Sequence, residues 1–191
     1  MKYARFWVLF CIILGLDQWT KSLVVQDAEE LRRNPIIVLD ILEGSENLLE
    51  FTYITNPGAA WSMLSDYPEA LTILALTALV AIFIFRKALE LYKTQHQLVF
   101  GFITGGVAGN LGDRLFRQPA EVVDFIDFFL PLINYDYPVF NIADSAIFIG
   151  AFSYMIIGVI DARQEQEKKR NATQQSVNGE PYLILYSLLA L

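Results

Sequence analysis

Thiol and imidazole are nearly absent from the 191 residues, which contain one cysteine and one histidine. Cys11 lies inside an apolar run and His96 in a basic stretch, so neither a disulfide framework nor a cysteine-based metal site can be assembled. A Ser-His-Asp or Cys-His mechanism needs an imidazole beside its nucleophile, and a zinc peptidase usually needs two. Those hydrolytic classes drop out, and no metal or cofactor is expected. Charge is scarce too. Only 18 % of residues are charged, whereas 54 % are hydrophobic, a balance unlike that of an ordinary soluble domain.

What is abundant is long apolar sequence. It falls in four blocks, residues 3–25, 70–85, 98–115 and 140–160. A helix rises about 1.5 Å per residue and the hydrocarbon core is about 30 Å thick, so each block spans it or nearly so. None shows the one-sided stripe of a helix facing water. The fold expected is therefore an all-α integral membrane protein with four transmembrane helices.

The net charge of −7 conceals a segregation. Lys2, Arg5, Arg86, Lys87, Lys93, Arg163, Lys168, Lys169 and Arg170 sort to the N-terminus, the second connection and the C-terminal tail. The first and third connections hold Arg32, Arg33 and Arg117 against a larger set of acids. By the positive-inside rule both termini are cytoplasmic, and residues 26–69 and 116–139 lie outside. The excess acid reflects topology, and nucleic-acid binding has no support. The N-terminus imitates a secretory signal, two basic residues then an apolar run, yet no small-x-small cleavage site follows.

In the first outer segment, residues 27–33 suit a short interfacial helix. Residues 36–42 and 48–55 are rich in β-branched and aromatic side chains, with turn chemistry over 43–47. Two short antiparallel strands are predicted there, a small β-rich outer cradle over about 34–56. Asn56-Pro57-Gly58 then marks a turn, and the small residues after it permit close approach of another backbone. Domain organisation reads as 1–162 for the membrane unit and 163–191 for a polar, disordered cytoplasmic tail. Its apolar end, 181–191, is too short to span.

Acids placed inside or beside apolar segments carry the functional signal. A carboxylate at the centre of a membrane helix costs roughly 2.5–3.5 kcal/mol even on the lenient insertion scale. Asp17 lies about 18 Å up the first helix from Arg5, and Asp113 about 22 Å up the third from Leu98, both on the outer side. Asp144 stands at the outer entrance of the fourth helix, one turn after Asn141. Three helices thus bring acids to similar depth. Asp17 and Lys21 form an i, i+4 pair with the acid first, the favourable order. That pair reads equally well as two side chains snorkelling at a helix end. Gly101, Gly105 and Gly109 repeat every four residues, a ridge that lets a neighbouring helix approach closely. Asn110 and Asp113 occupy the adjoining face. Asp124 lies in the second outer segment among Val122, Val123, Phe125 and Ile126, neighbours that tend to raise a carboxyl pKa.

Two carboxylates brought within a few ångströms cannot both ionise comfortably, so such a pair would share one proton. Depth alone does not choose two among Asp113, Asp124 and Asp144. A proton-coupled carrier would also place carboxylates in the membrane. It would need a polar path to the cytoplasmic side, where 70–85 and 145–160 offer only Thr72, Thr77, Ser145, Ser153 and similarly weak groups. A binding protein that no longer cleaves would keep the apolar groove but lose an acid.

The motifs Asp17-Gln-Trp-Thr-Lys21, Asn56-Pro-Gly-Ala-Ala-Trp61, Gly105-Gly-Val-Ala-Gly-Asn110-Leu-Gly-Asp113-Arg114, Val122-Val-Asp124-Phe125 and Phe140-Asn141-Ile-Ala-Asp144-Ser145 occur in that order. Together, over residues 3–162, the chain resembles the bacterial lipoprotein signal peptidase (signal peptidase II) family. The resemblance implies an intramembrane aspartyl endopeptidase with Asp124 and Asp144 as the catalytic pair. It implies that Asp17, Lys21, Asn56, Gly58, Asn110, Asp113, Arg114 and Asn141 support the site or contact substrate. It further implies a monomeric multi-pass enzyme of the bacterial cell (inner) membrane, whose partners are membrane lipid and prolipoproteins. Their cysteine already carries diacylglycerol, and cleavage falls just before it. Trp61 stands where the family more often has Phe, and the segment beyond about Asp161 has no counterpart in the resemblance.

Overall fold

The computed structural model describes residues 2–40, 47–58 and 63–189. The expected turn residues 43–46 and the small-residue stretch 59–62, Trp61 included, lie outside these. Two compact units divide the chain, Met1–Ala151 and Phe152–Leu191.

Helix α1 (Ala4–Gln26) is followed directly by the short α2 (Ala28–Arg33). Helix α3 (Pro68–Ile84) starts on a proline with Glu69 in its first turn, a favourable N-terminus because the missing N–H is not needed there. Helix α4 (Thr94–Phe116) ends just ahead of Pro119. Helix α5 begins at Ile142 and runs to Leu189. The last bound differs from the expected polar, disordered tail. Residues 163–175 consist largely of good helix formers, and Glu165 and Lys169 pair at 2.7 Å one turn apart, which favours continuation of the helix.

By length and composition, α1 and the Ile142–Gln175 part of α5 can cross a membrane, and α3 is apolar but shorter. Their outward faces carry Trp7, Ile12 and Trp19 on α1, Ile73, Leu74 and Phe83 on α3, and Phe148 and Ile149 on α5, all exposed. Water does not tolerate such a surface and lipid does. Helix α4 differs in kind. It is long enough, but Asn110, Asp113 and Gly101, Gly105, Gly106 and Gly109 are buried in its packed face. Small residues explain the packing. A Cβ on Gly105 would stand 2.8 Å from Ile13 Cβ, so only glycine lets α1 and α4 approach this closely.

The chain is not all-α. Four strands, β1 (Ile36–Leu39), β2 (Leu49–Asn56), β3 (Val122–Leu130) and β4 (Tyr135–Phe140), form one antiparallel sheet in that order. The first two correspond to the expected cradle, although β1 is shorter than the stretch read for it. The other two lie, but for Phe140, in the stretch 116–139 expected as the second outer connection. Val-Val-Asp-Phe-Ile-Asp-Phe-Phe-Leu is rich in β-branched and aromatic residues, and β2 and β4 supply partners on both edges. Register then matters. Ile54 pairs with Asp124 and Asn56 with Val122, which sets Asn56 diagonally beside Asp124 on the same face of the sheet.

Candidate active site

The entrance of α5 is built first by local chemistry. Asn141 precedes the helix, and its Oδ1 accepts the Asp144 N–H at 2.9 Å while Asp144 Oδ2 accepts the Asn141 N–H at 3.3 Å. This reciprocal exchange is a capping box made from Asn and Asp, satisfying two backbone donors that the first helical turn leaves open. The Asn141 amide oxygen is thereby committed to the backbone, and its Nδ2 turns the other way. It donates to Asp124 Oδ1 at 2.6 Å, with the Val123 carbonyl and Asn110 Oδ1 also in reach at 3.2 and 3.1 Å. One asparagine thus touches both Asp124 and Asp144.

Two more asparagines are oriented in the same manner. Asn56 Oδ1 accepts the Gly58 N–H at 2.9 Å, so its Nδ2 faces Asp124 Oδ2 at 3.2 Å. Asn110 Oδ1 accepts from the Lys21 ammonium at 2.8 Å, so its Nδ2 donates to Asp144 Oδ1 at 2.7 Å. A backbone amide and an ammonium can only donate. Each therefore selects one of the two amide orientations, and all three side-chain amides present N–H to the Asp124–Asp144 pair.

Asp124 is 3 % exposed. Burial, and after it the charge of Asp144, push its carboxyl from the usual 3.8 up to about 7. The amides of Asn56 and Asn141 act in the opposite sense but do not outweigh these terms. Near neutrality Asp124 therefore keeps much of its proton beside the Asp144 carboxylate, since two adjacent carboxylates do not both ionise readily.

Behind the pair lies a second charged group. Asp17, Lys21 and Asp113 are all 0 % exposed. Lys21 Nζ is 2.9 Å from Asp17 Oδ2 and 2.7 Å from Asp113 Oδ2. The snorkelling alternative for Asp17 and Lys21 is thus replaced by a buried network, because α4 supplies Asp113 and Asn110 at the same level. Arg114 joins from α4, its Nη2 donating to the Gly58 carbonyl at 2.7 Å, which ties the turn after β2 to the helix. All the candidate residues named from sequence meet in this one region.

A family profile described as "Signal peptidase (SPase) II" matches residues 9–160. The chain belongs to the signal peptidase II family. It is 34 % identical over 174 residues to a lipoprotein signal peptidase of Anoxybacillus flavithermus, covering 91 % of this chain and 94 % of that protein. A lipoprotein signal peptidase of Geobacillus kaustophilus is 36 % identical over 147 residues, covering 77 % and 87 %. Two bacterial membrane enzymes solved by the in meso method share the fold. One has a TM-score of 0.66 at 28 % identity, covering 82 % of this chain and 88 % of that one. The other has 0.58 at 29 % identity, covering 80 % and 90 %. As a signal peptidase II the chain is a membrane protease of lipoprotein processing, of the aspartic class, that removes signal peptides from prolipoproteins.

Two polar residues of this signal peptidase II were not singled out from sequence. Gln18 Nε2 reaches Asp17 Oδ2, Asp113 Oδ1 and the Gly109 carbonyl at 3.1, 3.2 and 3.0 Å. Arg117 Nε pairs with Asp113 Oδ1 at 2.6 Å. Both carry a signal that helical spacing could have supplied: Arg117 is four residues after Asp113, and Gln18 adjoins Asp17.

Proposed function

We propose that the chain is an intramembrane aspartyl endopeptidase that cleaves diacylglyceryl-modified prolipoproteins just before the lipidated cysteine, with Asp124 and Asp144 as its catalytic pair. The observation that carries this reading is Asn141, whose side chain donates to the Asp124 carboxylate while its backbone N–H donates to the carboxylate of Asp144. The elevated carboxyl of Asp124 adds a second support, since a shared proton is what general acid and base need together.

The chemistry follows from one proton on the pair. Asp144 takes a proton from water as the water oxygen adds to the scissile carbonyl carbon. Asp124 gives its proton to the carbonyl oxygen. As the tetrahedral diol collapses the C–N bond breaks, Asp144 passes its proton to the departing amine, and one diol hydroxyl returns its proton to Asp124, which restores the pair. Asn56, Asn110 and Asn141 hold the carboxylates in register throughout. Arg114 and Gly58, at the margin of the pair, are placed to meet substrate backbone.

In this reading α1, α3, α4 and the first part of α5 cross the cell (inner) membrane of a bacterium as a monomer. Both termini are cytoplasmic and the sheet lies outside. The exposed apolar faces of α1 and α3 leave acyl chains of the substrate in lipid while its peptide enters the site. The test is cleavage of a lipidated precursor in liposomes by the wild type, Asp124→Asn and Asp144→Asn. Loss of turnover in both variants, with protein that is folded and still binds lipidated peptide, is expected. Turnover by either variant at the wild-type rate, or equal cleavage of an unlipidated precursor, overturns the proposal. Chelator is expected to leave the rate unchanged.

A further inference from the structure

The residue just before each proposed catalytic acid is held by a buried carboxylate. Asp113 Oδ2 accepts the Val123 N–H at 3.3 Å, next to Asp124. Asp17 Oδ1 accepts the Ala143 N–H at 2.9 Å, next to Asp144. These anchors come from different helices and hold different elements, the start of β3 and the first turn of α5. Lys21 joins them. Its ammonium has three N–H groups and three acceptors, Asp17 Oδ2 at 2.9 Å, Asp113 Oδ2 at 2.7 Å and Asn110 Oδ1 at 2.8 Å.

We propose that Lys21 is a positioning residue of this peptidase, which sets the separation of Asp124 and Asp144 by tying together the two carboxylates that anchor them. The inference rests on the assignment of that pair. Lys21 touches neither acid, so it acts through other groups. One path runs through Asp113 to Val123 and Asp124. A second runs through Asp17 to Ala143 and Asp144. The third runs through Asn110, whose amide oxygen is committed to the ammonium so that its Nδ2 faces Asp144 Oδ1 at 2.7 Å.

Without the ammonium, Asn110 Oδ1 keeps only the longer bond from Asn141 Nδ2 at 3.1 Å, a weaker hold against the rotation that would present its oxygen to a carboxylate, a repulsive contact. Gln18 spans the same two anchors, but a neutral amide does not neutralise them. If burial of charge alone were the need, any arrangement leaving no net charge would serve, and buried ion pairs are often replaceable without loss of stability. The clamp predicts that charge balance is not enough.

The experiment compares Lys21→Met with the charge-balanced pair of substitutions Lys21→Met and Asp17→Asn, in the full-length enzyme in liposomes with a lipidated precursor peptide. The single variant leaves two buried carboxylates short of a cation and is expected to fold poorly. The charge-balanced variant leaves Asp113 with Arg117 and Gln18 and is expected to fold. Its kcat should fall about 100-fold, the scale of a misplacement of about 1 Å, with KM within about threefold of wild type. Hydrogen exchange at the amides of both Val123 and Ala143 should accelerate.

Asp124→Asn and Asp144→Asn run alongside. If either still cleaves, the pair assignment fails. If both are inactive while the charge-balanced variant keeps kcat within about threefold of wild type, the role of Lys21 alone fails. A rise in KM at unchanged kcat, or faster exchange at only one of the two amides, also overturns the clamp. Failure of the charge-balanced variant to fold does so too, because Lys21 would then belong to the frame and not to the spacing of the pair.

Discussion

Replacing the acid of Asp124 by an amide should abolish activity at every pH and change the stability of the protein by an amount that depends on pH. Asp124 is 3 % exposed and its carboxyl is raised from 3.8 to about 7. A carboxyl raised on folding is a liability above its folded pKa. Below the unfolded value both states carry the proton and the term vanishes. As pH rises from the unfolded value through the folded one, the unfolded chain ionises first and stability is lost. The full penalty is about 4 kcal/mol, taking 1.36 kcal/mol for each factor of ten. Between about pH 5 and about pH 8 it grows by about 2.5 kcal/mol.

Asp124→Asn abolishes that slope. It carries a fixed cost, because Asn56 and Asn141 both donate to position 124 and an amide has only one oxygen to offer. That cost, about 1–3 kcal/mol, does not vary with pH. The informative quantity is therefore the difference in Tm between variant and wild type, measured in detergent at about pH 5 and about pH 8. It should move in favour of the variant by about 5–10 °C between the two. Turnover should be lost at both. A Tm difference that stays constant, or moves against the variant as pH rises, would refute the elevated carboxyl.

Asp113→Asn leaves Lys21 and Arg117 with less negative charge at a fully buried position, so thermal stability and yield should fall, by about 3–5 kcal/mol of folding free energy. What folds should keep residual turnover. Loss of all activity with unchanged Tm would move Asp113 into the catalytic pair. Gly106→Ala places a Cβ against the Ala143 carbonyl oxygen and 2.8 Å from Ile147 Cγ1. The entrance of α5 must then shift, and kcat should drop about 10- to 100-fold, whereas Gly15→Ala, with nothing within 4 Å, should be silent. Reporter fusions at Gly44 and Tyr92 should read outside and cytoplasm respectively, and a cytoplasmic signal at Gly44 would invert the proposed topology.

Helix positions, the common level of Asp17, Asp113 and Asp144, and the glycine ridge on α4 were all legible in the chain itself. They depend on quantities that are local and periodic: the rise of a helix, and spacing by three or four. The same arithmetic gave no guide to Asp124. It lies in a stretch with no helical period, and its place beside Asp144 depends on pairing between residues far apart. Ile54 opposite Asp124 and Ile126 opposite Phe140 are long-range facts, and a shift of one residue would turn Asp124 to the other face of the sheet.

The state of Lys21 was undecided for a related reason. An acid and a base four residues apart on a helix look alike whether they snorkel or are buried, because the choice belongs to the neighbour. Here α4 approaches through Gly105 and Gly109, close enough that a Cβ at 109 would collide with Asp17 Oδ2, and it brings Asp113 and Asn110 to the ammonium. By itself the sequence determined which residue types were available for chemistry, and at what level along each helix. Only the tertiary structure decided which donors faced which carboxylates, because amide orientation and ion pairing follow from contacts between segments that share no local period.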